Sequence, residues 1–411
     1  MKELMPKISF VFLLLVVASL PTFRHFTPIL IVLFALSSLI HAVINKAFDI
    51  TNKKVFYTGI AFFAMHLISV IYSEHKAIAW FDIEVKMSLL IFPLLFSITN
   101  KYISENIKYI FYSFSIATVL ANIYLLTIGL YNAEIVSVFN LTEAEIWRFS
   151  SSNLAKYIHP SYLSMYNLFV LVYIVHMIIN DKKAIRFVLI LPALFIVLII
   201  FLLQAKAGFL AFGFSVIYFT VLIYNKIQSK AIKYILPLVI LLSSGFAISQ
   251  NHRMRLMFSS LVDIAKTGDS TTSSTGTRFE IWKVTVGIIS NNVLLGVGAG
   301  DIKPELNKKY EENPTFLKEA TDRHLNVHNQ YLETWLGQGV IGLSLLLSLF
   351  VMLIIKAYKH KDHVIALFVI NIMVNFFPEA MLNNMHGVVF FALFYYLFSL
   401  VNPYPSSKNT Y

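Results

Sequence analysis

The chain has 411 residues, of which 57% are apolar, 15% are aromatic and only 13% are charged. This composition excludes a soluble globular protein, and the continuously apolar runs exclude a β-barrel, whose strands alternate with period two. The net charge of +11 comes with no basic cluster on a soluble face, so we expect no nucleic-acid partner. The absence of cysteine excludes disulfides and thiolate chemistry.

About a dozen apolar runs are long enough, or nearly so, to cross a ~30 Å hydrocarbon core as helices. In chain order they cover residues 8–23, 26–44, 55–73, 80–99, 107–131, 160–180, 185–203, 207–224, 232–249, 329–355, 362–378 and 386–402. The predicted fold is all-α, a polytopic transmembrane helical bundle of about 12 spans. We expect spans 1–9 within residues 1–249, an outside loop over 250–327, and spans 10–12 within 328–411.

The distribution of basic residues predicts the orientation of these spans. With the N-terminus inside, most Lys and Arg fall in the inside segments. The short outside turns hold only Arg24, Lys76, Arg148, Lys156 and Lys206. The positive-inside rule therefore predicts that both termini are cytoplasmic, and the basic inside segments favour contact with anionic membrane lipids.

Two polar segments interrupt the apolar pattern on the predicted outer side. The shorter covers residues 132–159, and the longer covers 250–327. The longer segment carries periodic apolar residues between Phe279 and Ile289, which predict one or two short helices over the membrane surface. It also contains GVGAGD, a glycine-rich turn with no preceding strand and no GxxxxGK[ST] pattern, so a phosphate-binding loop is poorly supported.

The sequence HNQYLETWLGQGVIGL, from His328 to Leu343, is the most informative stretch. It places an imidazole at the start of a long apolar helix. Gly339 and Gly342 follow on the same predicted helical face, and small residues at such spacing favour close helix packing.

This histidine motif resembles the signature of the O-antigen ligase and polymerase family of bacterial membrane proteins. In that family an Arg-x-x-x-Trp step and a Gly-x-Gly-x-Gly turn typically precede the histidine; Arg278, Trp282 and the glycines before Asp301 match them. Lys206 lies where the family often has Ser-Arg-x-Gly, and lysine lacks the planar fork of arginine. His159, in YIHPSYLS, resembles a further family element.

The resemblance implies a GT-C-like bundle in the bacterial inner membrane with its active site on the periplasmic face. The donor would be a glycan on undecaprenyl diphosphate, transferred with inversion. Arg278, Lys206 and His159 would bind the diphosphate, whose negative charge grows as the glycosidic bond breaks. His328, the catalytic candidate together with Arg278, would accept the acceptor's proton or bind phosphate.

No Asp-x-Asp pair of the kind that holds a divalent ion in many glycosyltransferases occurs in the sequence. We therefore expect neither a metal nor a cofactor. At the last outer turn, Glu379, Asn383 and His386 are candidates to line an acceptor groove, although short interhelical loops are often polar for solvation alone.

Three acceptors stay open, because the donor chemistry is common to all of them. A ligase attaches the glycan to a lipid A core sugar, a polymerase extends one repeat unit onto another, and a protein O-oligosaccharyltransferase uses protein hydroxyls. One dominant late loop with a histidine motif favours the ligase. A lipid-linked oligosaccharide transporter is the alternative from another class, but it predicts polar groups at mid-membrane, where only Asn122 and Asn375 are candidates.

Overall fold

The structure, a computed structural model, describes residues 1–22, 25–98, 101–135, 141–180, 185–224, 228–229, 235, 252–267, 273–312 and 318–401. Over these ranges the regular structure is helical, apart from one isolated bridge between Phe48 and Ile98. The helices of the first part are α1 (Leu4–Ser19), α2 (Thr27–Asn45), α3 (Lys53–Tyr72), α4 (Lys76–Lys86), α5 (Ser88–Phe96), α6 (Lys101–Glu105), α7 (Ile107–Asn132), α8 (Glu143–Arg148), α9 (Pro160–Asn180), α10 (Ile185–Leu203) and α11 (Lys206–Tyr224).

The helices of the second part lie beyond residue 251. They are α12 (His252–Thr267), α13 (Ser274–Asn291), α14 (Ile302–Glu312), α15 (Lys318–Arg323), α16 (Gln330–His360), α17 (His363–Phe376), a short 3-10 helix (Met381–Asn383) and α18 (Met385–Leu400). The predicted run 80–99 forms two consecutive helices, α4 and α5. The predicted run 232–249 lies, apart from Ile235, outside the described residues, so the number of spans stays a prediction.

Apolar helices dominate the fold. By length and composition, six of the helices described here can cross a membrane, namely α2, α3, α7, α9, α11 and α16; four shorter helices are also apolar. Large apolar side chains are exposed on the outside of the bundle, for example Val43 at 79% and Ile71 at 77%. Water would penalise such surfaces, whereas lipid would not. The chain is therefore a helical, multi-pass membrane protein.

The last helix, α18, lies at the centre of the bundle, because every residue from His386 to Leu400 is buried. A helix that is apolar on all sides is typical of a protein core or of a membrane span, and here protein surrounds it. Its Phe390 and Phe394 pack against Phe114, Phe169 and Phe368 from α7, α9 and α17. This aromatic core fixes the short turn before α18, which carries Glu379.

Over residues 252–267, 273–312 and 318–327 the longer outer segment contains four helices, α12 to α15, which we call the cap, instead of the one or two that its sequence predicts. Two of them, α12 and α13, are longer than the short helices expected. The apolar side chains of α13 and α14 pack with Leu336 of α16 in one separate small core. The cap thus packs on the bundle through this small core.

The glycine-rich turn is a structural clamp between the cap and the bundle. Asp301 accepts hydrogen bonds from the backbone N–H of Glu74 (2.6 Å) and of His75 (2.9 Å), and its carboxylate contacts the His75 ring nitrogen Nδ1 (2.6 Å). Gly296 and Gly298 have φ angles of +73° and +99°, which side-chain-bearing residues rarely adopt. The turn therefore serves close backbone packing.

Helix α16 is interrupted at Gly339, which has φ +66° and ψ −170°. The sequence predicts one continuous helix here, so the interruption corrects that expectation. Gly339 packs against the backbone of Leu294 and Leu295, and the nearest side chain to Gly342 belongs to Gln338 of the same helix. The neighbours of both glycines thus differ from the helix–helix contact stripe that their spacing predicts.

Candidate active site

A cavity of about 950 Å³ opens at one end of the bundle, between α8, the turn from α10 to α11, and the cap helices α12 and α13. Glu143 is the one carboxylate among the described residues that line it. The basic and imidazole side chains on its wall are His159, Lys206, Arg253, Arg278, Arg323 and His328. The four residues that the sequence assigns to donor binding and catalysis therefore surround a single cavity.

Glu379 connects the two leading candidates at the edge of this cavity. Its Oε1 accepts a hydrogen bond from Nη2 of Arg278 at 2.6 Å, and its Oε2 lies 3.0 Å from Nδ1 of His328. The Glu379 side chain is only 13% exposed, so both contacts form in a poorly hydrated place. Charge-assisted hydrogen bonds of this kind are stronger than neutral ones.

The charge of Glu379 decides the tautomer of His328. Burial raises the pKa of the Glu379 carboxyl, but the Arg278 charge and the hydrogen bond from His328 outweigh this effect and lower the pKa to about 2. An ionised carboxylate only accepts hydrogen bonds, so Nδ1 of His328 must be the donor. The other ring nitrogen, Nε2, is then the unprotonated one in the neutral imidazole.

The backbone at His328 adopts the left-handed conformation and is held by a local hydrogen bond. His328 has φ +50°, and its N–H donates to Oδ1 of Asn326 at 3.0 Å. The next residue, Asn329, is the N-cap of α16 and accepts from the N–H groups of Tyr331 (2.9 Å) and Leu332 (3.0 Å). These two helix amides are thus occupied, which weakens the alternative that the N-terminus of α16 binds a phosphate.

Arg278 and Trp282 share one face of α13, as the four-residue spacing predicts. Arg278 reaches Glu379, while the indole N–H of Trp282 donates to the carbonyl of Val327 at 3.0 Å. Trp282 also packs edge-on against Phe377, at 5.2 Å between ring centres. We call the paired side chains of His328 and Glu379 the dyad. Arg278 and Trp282 therefore hold the two chain segments that carry it, at Glu379 and at Val327.

Lys206 is the first residue of α11 and points to the start of α13. Its Nζ donates to Oγ of Ser274 at 2.8 Å and to Oγ1 of Thr275 at 2.9 Å. Ser273, immediately before them, is the N-cap of α13 and accepts from the N–H of Gly276. Lys206 thus lies across the cavity wall from the helix that carries Arg278.

His159 precedes α9 and lines the same cavity. Burial lowers the pKa of His159 below its ordinary value, and this effect exceeds the opposing effect of the Glu379 carboxylate. Its Nδ1 accepts from the N–H of Ser161 at 3.3 Å, which leaves Nε2–H as the donor of the neutral ring. A neutral donor can contact an anionic oxygen but adds no charge to the cavity.

The three residues predicted to line an acceptor groove lie in different places. Glu379 contacts Arg278 and His328. Asn383 faces the interior and donates to Oε1 of Glu333 at 2.6 Å. His386 is buried at 4% exposure and lines a second cavity, next to the first. A groove formed by all three side chains therefore stays a prediction: in this structure Asn383 bonds to Glu333, while His386 lines the second cavity.

Sequence reasoning missed Arg253 and Arg323 on the cavity wall. The guanidinium of Arg253 lies 5.3 Å from the centre of the Trp147 ring, a cation–π contact between α12 and α8. Next to Arg253, the apolar residues Met254 and Met257 lie three positions apart, a spacing typical of an amphipathic helix with basic residues on its other side. Arg323 ends α15, and no local pattern distinguishes it from a solvated charge.

The cavity and its edge combine two chemical functions. Four cations can neutralise an anionic group in a partly dehydrated cavity, and at its edge an oriented imidazole can accept one proton. Because these side chains are spread from Lys206 to His328 in the sequence, only the folded chain brings them together.

Comparison with known proteins gives an independent result. Residues 191–347 match a family model described as O-Antigen ligase. The matched region includes Lys206, Arg278 and His328, but neither His159 nor Glu379. No curated protein matches the chain. The match confirms the family resemblance that the motifs predict: over residues 191–347 the chain is similar to the O-antigen ligase and polymerase family.

Proposed function

We propose that this protein transfers a glycan from undecaprenyl diphosphate to a lipid A core sugar, without a metal and with inversion at the anomeric carbon. The cavity is then at the periplasmic face of the inner membrane, with both chain termini in the cytoplasm. The observation that carries the proposal is the contact of one buried carboxylate, Glu379, with both Arg278 and His328 at the edge of a basic cavity.

The basic wall supports a diphosphate-bearing donor. Lys206 and Arg278 are the predicted ligands, and Arg253 and Arg323 extend the same positive surface. As the bond between the anomeric carbon and the diphosphate oxygen breaks, negative charge grows on the diphosphate, and fixed cations stabilise it. A neutral His159 adds a hydrogen-bond donor to this group.

His328 acts as the general base in this scheme. The acceptor hydroxyl loses its proton to Nε2 of His328 as its oxygen attacks the anomeric carbon. Glu379 holds the ring by Nδ1 and stabilises the positive charge that forms, the role of the carboxylate in other base–carboxylate pairs. Because Asn329 already occupies the amides of Tyr331 and Leu332, we favour this role over phosphate binding.

A polymerase that joins lipid-linked repeat units is the second candidate, and a protein O-oligosaccharyltransferase is the third. Both use the same donor, so the dyad and the cations support all three reactions. We favour the ligase because the longer outer segment is the dominant one and the histidine motif that begins at His328 follows it directly. A transporter is less well supported. Its candidate mid-membrane group Asn122 is paired with Asn167 at 2.6 Å, and Asn375 bonds to Asn371 at 2.9 Å.

Deletion of the gene and complementation test the proposal. The surface glycolipid ladder of the deletion strain is compared with those of strains that carry wild-type or His328→Ala protein. We expect wild type to restore the polymer-bearing bands and His328→Ala to leave lipid-linked polymer unused. A remaining single-repeat band in the deletion strain would favour the polymerase, and an unchanged ladder would contradict glycan transfer by this protein.

A further inference from the structure

We propose that a second cavity, beside the basic one, holds the sugar that accepts the glycan. This inference rests on the proposed glycan transfer. The second cavity has a volume of about 370 Å³ and shares two wall residues, Ser152 and His159, with the first. Its volume falls within the ordinary range for small-ligand sites. The two cavities are therefore neighbours with a common wall at His159.

Aromatic rings form much of the second cavity. The rings of His159 and Tyr162 are 6.2 Å apart, and those of Tyr162 and His386 are 6.1 Å apart, so three rings line one side. Tyr157, 53% exposed, faces the opening and rests on Tyr124 at 6.5 Å. Flat rings with a few polar groups suit a sugar, whose C–H face packs on a ring while its hydroxyls form hydrogen bonds.

The charges of the two cavities differ in the way that two substrates require. The first cavity has Lys206, Arg253, Arg278 and Arg323 on its wall, whereas Lys156 is the one lysine or arginine among the described residues that line the second. The side-chain amide of Asn384 adds a polar group to the second. The first cavity thus suits a diphosphate, and the second suits an uncharged sugar ring.

The second cavity also adjoins the catalytic carboxylate. Ser161, two residues after His159, places its Oγ 3.5 Å from Oε1 of Glu379. Tyr162 places its hydroxyl 3.5 Å from the carbonyl of Met381, on the same turn. An acceptor hydroxyl that passes His159 from the second cavity therefore reaches the His328–Glu379 dyad.

This arrangement fixes the course of the transfer. The acceptor O–H gives its proton to Nε2 of His328, and its oxygen forms the new bond to the anomeric carbon. The bond from that carbon to the diphosphate oxygen breaks, and the electron pair stays with the diphosphate among the cations of the first cavity. Donor and acceptor meet at His159, which contacts both as a positioning residue.

Transfer by the purified protein in lipid nanodiscs tests this inference. The donor is the undecaprenyl diphosphate glycan. Two acceptor probes are used, the lipid A core glycolipid from the deletion strain and the repeat-unit glycan on a short alkyl alcohol. Neither probe carries the undecaprenyl diphosphate leaving group, so neither can act as donor, and the one that wild type uses identifies the source of the sugar.

Tyr157→Ala removes an exposed ring and leaves the bundle intact. We expect the acceptor KM to rise about tenfold, the effect of one lost aromatic contact, with donor KM unchanged. Tyr157→Phe retains the ring and should behave as wild type. Lys206→Ala, in the first cavity, should raise donor KM instead.

The outcomes distinguish failure of the proposed glycan transfer from failure of the acceptor site. If wild type uses neither probe, the proposed transfer to a glycan acceptor fails, and the second cavity loses its assignment with it. If wild type is active but Tyr157→Ala leaves acceptor KM unchanged, or raises both KM values equally, the acceptor site is wrong while the proposed function stands.

Discussion

Glu379 holds Arg278 with one carboxylate oxygen, at 2.6 Å, and His328 with the other, at 3.0 Å. The two partners lie 50 residues apart in the chain and on different elements, and the carboxylate comes from a third. Because one group controls both, the cation and the base cannot move independently.

Glu379→Gln keeps the size of the side chain and removes its charge. We expect the transfer rate to fall about 10²- to 10⁴-fold, because a neutral amide no longer requires His328 to keep its proton on Nδ1. Initial rates of the purified variant, with the amount of folded protein matched by size-exclusion chromatography, measure the effect. A rate above half that of wild type would show that the carboxylate does not orient the base.

The lowered pKa of Glu379 predicts a pH dependence of stability. Its folded-state pKa is about 2, below the ordinary value of 4.5, so the stabilisation is complete above pH 4.5 and is lost as pH falls toward 2. The difference in melting temperature between wild type and Glu379→Gln should be constant from about pH 5 to 8 and shrink only below that range. A difference that already changes between pH 6 and 8 would contradict the assignment.

Lys206→Ala should raise the donor KM about tenfold or more, because one charge-assisted contact to the diphosphate is lost. Lys206→Arg should retain most of the affinity, since arginine keeps the charge and adds a planar fork. Donor titration at saturating acceptor separates the two variants. Equal KM values for wild type and Lys206→Ala would mean that this lysine only binds Ser274 and Thr275.

Glu333 and Gln330, both buried in α16, hold the turn that carries Glu379. Asn383 donates to Glu333 at 2.6 Å, and the N–H of Leu382 donates to Gln330 at 2.7 Å. Glu333→Ala should therefore lower kcat about tenfold with little change in donor KM, because the turn loses one support. Glu333→Gln retains an acceptor oxygen and should stay close to wild type. If both variants lose activity equally, the charge of Glu333 matters and not its hydrogen bond.

Asp301 should contribute to stability and not to the reaction. Its carboxylate, 6% exposed, accepts from the Glu74 and His75 amides. Asp301→Ala should lower the unfolding free energy by about 1.5–3 kcal/mol or more, since hydrogen bonds to a charged group are lost. The melting temperature should fall while both KM values stay unchanged. A selective rise in donor KM would instead indicate that the glycine-rich turn contacts the donor.

The sequence predicts the helical character of the chain well, because the long apolar runs within the described ranges are helical and six of these helices have the length and composition that a span requires. The motifs also identify His328, Arg278, Lys206 and His159, which the fold places around one cavity. Two kinds of feature escaped. The break at Gly339 arises from packing against Leu294, a tertiary contact with no local signal. The sequence suggests Glu379 only as a candidate for an acceptor groove. Its position between Arg278 and His328 is visible only in the fold.

Arg253 and Arg323 escaped for a related reason. Their neighbours in the sequence predict a helix start and a helix end, where basic residues are often only solvated. Their position on the cavity wall depends on how α12 and α15 fold over the bundle. Charge at a site can thus be predicted from motifs only where the motif itself fixes the geometry, as it does for Arg278 and Trp282 on one helical face.

Transfer by the purified protein tests the central claim most directly. Undecaprenyl diphosphate glycan and lipid A core glycolipid are supplied to wild type, to His328→Ala and to Glu379→Gln in the same nanodiscs. The account predicts that wild type forms the joined product and that both variants lose at least about 100-fold in rate, with donor binding retained. Product formation by His328→Ala at the wild-type rate would contradict the assignment of His328 and Glu379 as the base and its partner.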